Sequence, residues 1–158
     1  MSDDEGQLPV ERIVSGGQTG VDRAALDVAI QLGIEHGGWC PRGQLAEDGP
    51  IPPRYQLTEI DSAEYWVRTE RNVVDSQGTL ILYGGELTGG TELTLRMAVK
   101  HDKPHLTVDL QARPSPQMAR QWILKHNLHH LNVAGPRESS APGIGQSARQ
   151  FLLAVFFK

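Results

Sequence analysis

Residues 12–33, Arg12-Ile13-Val14-Ser15-Gly16-Gly17-Gln18-Thr19-Gly20-Val21-Asp22-Arg23-Ala24-Ala25-Leu26-Asp27-Val28-Ala29-Ile30-Gln31-Leu32-Gly33, decide the fold. A short apolar run, Ile13-Val14, ends at once in a glycine-rich turn, as a buried strand does. After the turn, Val21, Ala24, Ala25, Val28, Ala29 and Leu32 recur at the spacing of one helical face, and Gly33 supplies a stop. The stretch therefore reads as strand, glycine loop, helix.

The same grammar repeats along the chain. Thr79 to Tyr83 is apolar on both faces, as a buried parallel strand requires. A second glycine turn, Gly84-Gly85-Glu86-Leu87-Thr88-Gly89-Gly90-Thr91, leads into a helix over 92–101 with Thr91 as its expected N-cap. Leu106 to Leu110 reads as a strand. Ser115 and Pro116 occupy the N-cap and first position of a helix whose inner face is Met118, Ala119, Trp122 and Ile123. Leu131 to Ala134 is a last strand, broken by Gly135-Pro136-Arg137, and a final helix starts near Ile144. Asp61 and Glu64 read as a capping box for a helix ending near Val74. Residues 36–58 are rich in Gly, Pro and charge and read as a long loop with a short strand near Gly38 to Cys40. Strands alternating with helices define an α/β domain with a mainly parallel sheet and helices on both faces.

In such a sheet, ligands sit beyond the carboxyl ends of the strands. Three glycine-bearing turns on that rim point to a phosphate-bearing ligand, because a helix start offers unpaired N–H groups and the positive dipole end. The candidate residues are Gly16, Gly17, Gln18, Thr19 and Gly20 in the first turn, Gly84, Gly89, Gly90 and Thr91 in the second, and Arg137 in the third, where its guanidinium can fork an anion. Asp22 reads either as a cap or as a partner for a ligand hydroxyl. Arg68, Thr69 and Asn72 share a helical face that reaches the same rim, the alternative for Arg68 being a surface pair with Asp61 or Glu64. Arg42 is a further cation. Cys40 reads as a small buried hydrophobe or, alternatively, a transient metal ligand. The turns lack the lysine of a P-loop and the GxGxxG spacing of a dinucleotide fingerprint.

Composition narrows the classes. The chain has 158 residues, 39% apolar and 22% charged, which suits one globular domain. Its formal charge is −4, but residues 1–11 hold Asp3, Asp4, Glu5 and Glu11 with no Lys or Arg, leaving 15 acids against 15 bases in residues 12–158. We expect an acidic flexible tail over 1–11 and one ligand-binding domain over 12–158. A balanced body with no basic stripe disfavours nucleic acid. The longest apolar run, Phe151 to Phe157, is far short of the roughly 20 residues that span a membrane. That run is apolar all round, which suggests core or a subunit interface. The start, MSDDEGQLPV, has neither a basic head nor an apolar h-region, so a cytoplasmic location is expected.

Ser15 to Asp27, Gly38 to Gly43 with Glu47-Asp48-Gly49, and Leu131 to Ser139 together resemble the molybdenum cofactor carrier protein family, as do Arg68-Thr69 to Asn72-Val73 and Gly89-Gly90-Thr91. The resemblance implies a Rossmann-like doubly wound fold, shared with lysine-decarboxylase-like proteins and cytokinin-activating nucleotide hydrolases. It implies storage or protection of molybdenum cofactor, or of a related phosphorylated pterin, as a phosphorylated small-molecule ligand. It also implies a homo-oligomer, dimer or tetramer, with molybdoenzymes or cofactor-synthesis proteins as further partners. The hydrolases of the wider group carry PGGxGTxxE with a catalytic final Glu. Here Thr94 stands at that position and Glu92 is shifted around the helix, which favours a non-catalytic carrier. The alternative is a nucleoside 5′-monophosphate phosphoribohydrolase-like enzyme or a nucleotide-ligand sensor.

Overall fold

Fourteen elements of the computed structural model, which describes residues 7–157, keep the strand–helix alternation read from the sequence except for five short strands in succession after the first helix. They are β1 (Arg12–Val14), α1 (Val21–Leu32), β2 (Glu35–Gly37), β3 (Trp39–Cys40), β4 (Leu45–Ala46), β5 (Gly49–Pro50), β6 (Thr58–Glu59), α2 (Tyr65–Val74), β7 (Gly78–Tyr83), α3 (Gly89–Lys100), β8 (His105–Asp109), α4 (Pro116–His126), β9 (His130–Ala134) and α5 (Ile144–Phe156). Five of the strands form one sheet in the order β2-β1-β9-β7-β8, with every neighbour parallel.

The last strand of the chain thus lies at the centre of the sheet. Counted from β9 as the first strand, the order becomes 3-2-1-4-5, the doubly wound arrangement, and its direction reverses between β9 and β7. The carboxyl ends of those two strands carry the third and second glycine turns. Strand alternation sorts side chains onto the two faces. Ile13, Leu80, Leu82, Leu131 and Val133 join α1, α4 and α5 in the main core. On the opposite face Asn132 donates to the Thr79 hydroxyl at 3.3 Å, and α2 and α3 pack against each other beside the sheet.

Several boundaries differ from the sequence reading. β2 was not expected; it adds an edge strand immediately after α1, with Glu35, His36 and Gly37 in register with Arg12, Ile13 and Val14. α2 begins at Tyr65 rather than at Asp61, because residues 58–62 are held extended: β6 pairs with β3, the Ile60 amide donates to the Cys40 carbonyl, and the Arg42 amide donates to the Ser62 carbonyl. α3 begins at Gly89, with Thr88 in the N-cap position in place of Thr91. The Thr88 carbonyl accepts from the Thr91 and Glu92 amides, which closes the first turn there. On α4, Ser115 caps the Gln117 amide as expected, but Met118 is exposed and Arg120 takes the inner position, donating to the Val155 carbonyl.

Of the acidic stretch 1–11, residues 1–6 lie outside the described residues. Leu8 and Val10 pack against the core, and the Glu11 amide donates to the His129 carbonyl at 2.8 Å. In α5, Phe151, Leu152 and Val155 are core, so packing accounts for most of the apolar run; Phe157 is exposed. Among the described residues no helix is long and apolar enough to cross a membrane. Residues 41–57, which contain the β4–β5 hairpin, form a strap over the carboxyl end of β1.

Candidate functional site

At the carboxyl ends of β1, β7 and β9 lies a cavity of about 550 Å³. It gathers residues from all three glycine turns, from α2 and from the strap. Of the residues singled out in the sequence, Gly16, Gln18, Asp22, Arg42, Arg68, Thr69, Gly89, Gly90, Thr91 and Arg137 line it. Gly17, Thr19, Gly20, Asn72, Gly84 and Cys40 do not. Three arginines and one carboxylate are its formally charged residues, so the cavity is cationic.

The first turn is filled by the protein itself. A Cβ at Gly16 would overlap the Arg68 guanidinium. One at Gly17 would press on Leu57 and Ile51, and one at Gly20 would overlap the Pro136 carbonyl and the Glu138 amide. Gly20 also has φ +80, which L side chains rarely adopt. The start of α1 is likewise engaged: the Val21 amide donates to Pro136, Arg23 to the Gln18 carbonyl and Ala24 to the Gly20 carbonyl. The Gln18 amide donates to the Asp22 carboxylate, so Asp22 serves as an internal anion for this turn.

The third turn is similar. The Glu138 carboxylate accepts from the Gly143 and Gly145 amides at 2.6 and 3.0 Å and occupies the start of α5. Arg137 stays exposed at the cavity mouth.

The second turn differs. Thr88 makes no side-chain cap, and the amides of Gly89 and Gly90 have no acceptor among the described residues. Tyr65, at the start of α2, covers Gly90 closely enough that a Cβ there would strike its hydroxyl. Gly84, earlier in the turn, packs instead against Gln111. Thr94 lines the cavity and donates its hydroxyl to the Gly90 carbonyl at 2.9 Å, whereas Glu92 lies exposed 4.0 Å from Arg96.

Arg68 is buried against Asp22, with Nη1 3.3 Å from Oδ2, and not paired at the surface with Asp61 or Glu64. Burial pushes the Asp22 carboxyl up to about 6, against the lowering influence of Arg68 and the Gln18 amide. The Arg68 Nε is buried and has no acceptor among the described residues. Thr69 donates to the Tyr65 carbonyl. Asn72 is taken up by the backbone of Trp39, accepting from its amide at 2.7 Å and donating to its carbonyl at 3.0 Å, which anchors β3. Cys40 is buried with Leu26, Ile51 and Tyr55, and burial raises its thiol pKa. Among the described residues no group of three or more His, Cys, Asp or Glu side chains could hold a metal ion.

Sequence reasoning missed Tyr65 and Ser140 on the cavity wall, and the latch of the strap. Tyr65 lies three and four residues before Arg68 and Thr69, a helical spacing that could have revealed it. In the latch, Glu47 accepts from the hydroxyls of Thr19 and Ser139 and from the Ser139 amide, and Asp48 takes a bidentate fork from Arg23. These bonds hold both carboxyls below their ordinary pKa, Ser139 first for Glu47 and Arg23 first for Asp48. Ser140 and Ser139 follow the third turn, where only the folded chain shows what they meet.

A doubly wound sheet with a cationic cavity at its switch point defines a Rossmann-like ligand-binding protein. The chain belongs to the Circularly permutated YpsA SLOG family, which it matches over residues 13–156. The central placement of the C-terminal strand agrees with that description. A solved structure from Syntrophus aciditrophicus SB, named "Putative molybdenum carrier protein", is similar at 45% identity and TM-score 0.90, covering 94% of this chain and 96% of its own. The curated proteins contain no match to the chain.

Proposed function

We propose that this protein is a carrier that binds a phosphorylated small molecule of pterin or nucleotide size, with molybdenum cofactor as the leading candidate, and does not transform it. One observation carries the reading: Gly89 and Gly90, whose amides at the start of α3 have no acceptor among the described residues, line the same cavity as Arg68, whose buried Nε has no partner among them either. A phosphate there would meet helix amides and a guanidinium together, with Arg42 and Arg137 as outer cations. The volume, about 550 Å³, suits a ligand well beyond a bare phosphate. Similarity to the protein named as a molybdenum carrier supports the choice of ligand. In molybdenum cofactor the metal rides on the ligand's own dithiolene, so such a carrier needs no metal-ligating cluster of its own.

The carboxylate of the related hydrolases is replaced by Thr94, whose hydroxyl is bonded to the Gly90 carbonyl. The test is mass spectrometry of the small molecule that co-purifies with the protein, combined with a molybdenum assay. A phosphorylated pterin is the expected finding. Release of ribose 5-phosphate from AMP above background would overturn the carrier reading in favour of the hydrolase.

A further inference from the structure

Arg68 and Asp22 meet at the cavity through a single 3.3 Å hydrogen bond, Nη1 to Oδ2. Both residues are buried, at 9% and 4% exposure. A guanidinium has five N–H donors, and a close ion pair with a carboxylate is commonly bidentate at about 2.7–2.9 Å. This one is long and single, and Nε has no acceptor among the described residues. The guanidinium otherwise rests on Gly16 and lies 5.5 Å from the Tyr65 ring centroid. Arg68 therefore retains donor capacity inside a cavity that also holds the open amides of α3.

Asp22 depends on Arg68 for its ionisation. Arg68 faces it from α2, Arg23 lies beside it on α1, and the Gln18 amide donates to Oδ2 at 3.3 Å. Arg42 and Arg137 line the same cavity from the strap and from the turn after β9. The carboxylates of that neighbourhood are committed elsewhere, Glu138 to the start of α5 and Glu47 to Thr19 and Ser139. Burial opposes the charged form, and the Arg68 charge is the strongest influence holding it. An anion that draws the guanidinium toward itself weakens that influence and adds a negative charge nearby.

We propose that the site binds its anion together with a proton, which Asp22 takes from solvent as Arg68 turns from it to the ligand. The proposal rests on the phosphate-site reading above and adds the proton to it. The balance is simple: the carboxylate becomes a carboxyl group, and the site gains the phosphate charge, about −1.5 to −2 near pH 7, offset in part by one proton. In the free protein Asp22 holds its proton only below about pH 6. In the complex it holds it to higher pH, so affinity rises as pH falls toward 6 and levels off below.

Calorimetric titration of the unaltered protein with AMP near pH 7, in two buffers of different ionisation heat, counts the protons taken up. Between half a proton and one proton per AMP is expected, in the order-of-magnitude sense of one linked group, with affinity falling by up to about tenfold per pH unit above 7. In Asp22→Asn the uptake drops by that same amount, leaving only what the AMP phosphate contributes. Should that variant fail to fold, infrared difference spectra of the unaltered protein provide a second reading, in which AMP binding makes a protonated carboxyl band appear. AMP binding with no proton uptake and no such band overturns the proposal and leaves the phosphate site standing. Failure of both AMP and inorganic phosphate to bind at any pH overturns the phosphate site and this proposal together.

Discussion

The turns at 15–20 and 84–91 look alike on paper: each follows a strand, is rich in glycine and opens a helix. In the first, the space beside the glycines is filled with Arg68, Leu57, Ile51 and the backbone of 136–138, and the helix start is bonded to protein carbonyls. In the second, Gly89 has φ +54 with open space beside it and an amide without an acceptor among the described residues, although Tyr65 closes the space beside Gly90; like α1, the helix starts without a side-chain cap. Glycine at a helix start thus serves two ends, close packing of chain on chain and exposure of amides to a ligand. The atoms that approach from elsewhere in the fold decide which.

The sharpest way to break this comparison is a matched pair of substitutions. Gly20→Ala forces a side chain into backbone at positive φ and is expected to cost about 3 kcal/mol or more, seen as a large fall in melting temperature or loss of folded protein. Gly89→Ala meets only the backbone penalty of about 1–2 kcal/mol and stays folded. Equal damage from the two would sink the distinction.

A second effect concerns the anion built into the first turn. Asp22 has its pKa raised from 3.8 to about 6 in the folded protein, so the folded state holds the extra proton between those values. Its charged form opposes folding in full above pH 6, and that cost is lost as pH falls toward 4. Two pH units correspond to about 3 kcal/mol. The stability difference between the parent and Asp22→Asn, from denaturant unfolding, is expected to move toward the parent by up to that amount from pH 7 to pH 4. A difference independent of pH would show that Asp22 does not carry the proton.

The smallest effect sharpens the second turn. Ser115 caps α4 with a real hydrogen bond, and Ser115→Ala should cost about 1 kcal/mol. Thr88 caps nothing with its side chain, so Thr88→Ala should fall within about 0.5 kcal/mol of the parent in the same thermal assay. A cost equal to that at Ser115 would mean that the start of α3 depends on Thr88 after all.

Local signals carried far here. The 3.6-residue spacing of Val21 to Leu32, the Ser115-Pro116 start and the apolar run at 79–83 each act over a few neighbouring residues, and alternation of such units dictates an α/β domain with glycine turns at strand ends. β2 escaped because Glu35-His36-Gly37 is polar, and only its place beside β1 makes it a strand. The capping box at Asp61 gave way because β3 claims residues 58–60 from a distance.

By itself the sequence determined the class of fold, the three turns and half of the residues that line the cavity, since these follow from spacing and chain direction. Tertiary structure alone decided the strand order with β9 at the centre, the burial of Arg68 against Asp22, and the use of the first turn for packing while the second stays open. The reason is physical: backbone propensity depends on near neighbours, whereas occupancy of a turn, pairing of a charge and the pKa of a carboxyl depend on groups brought close from dozens of residues away.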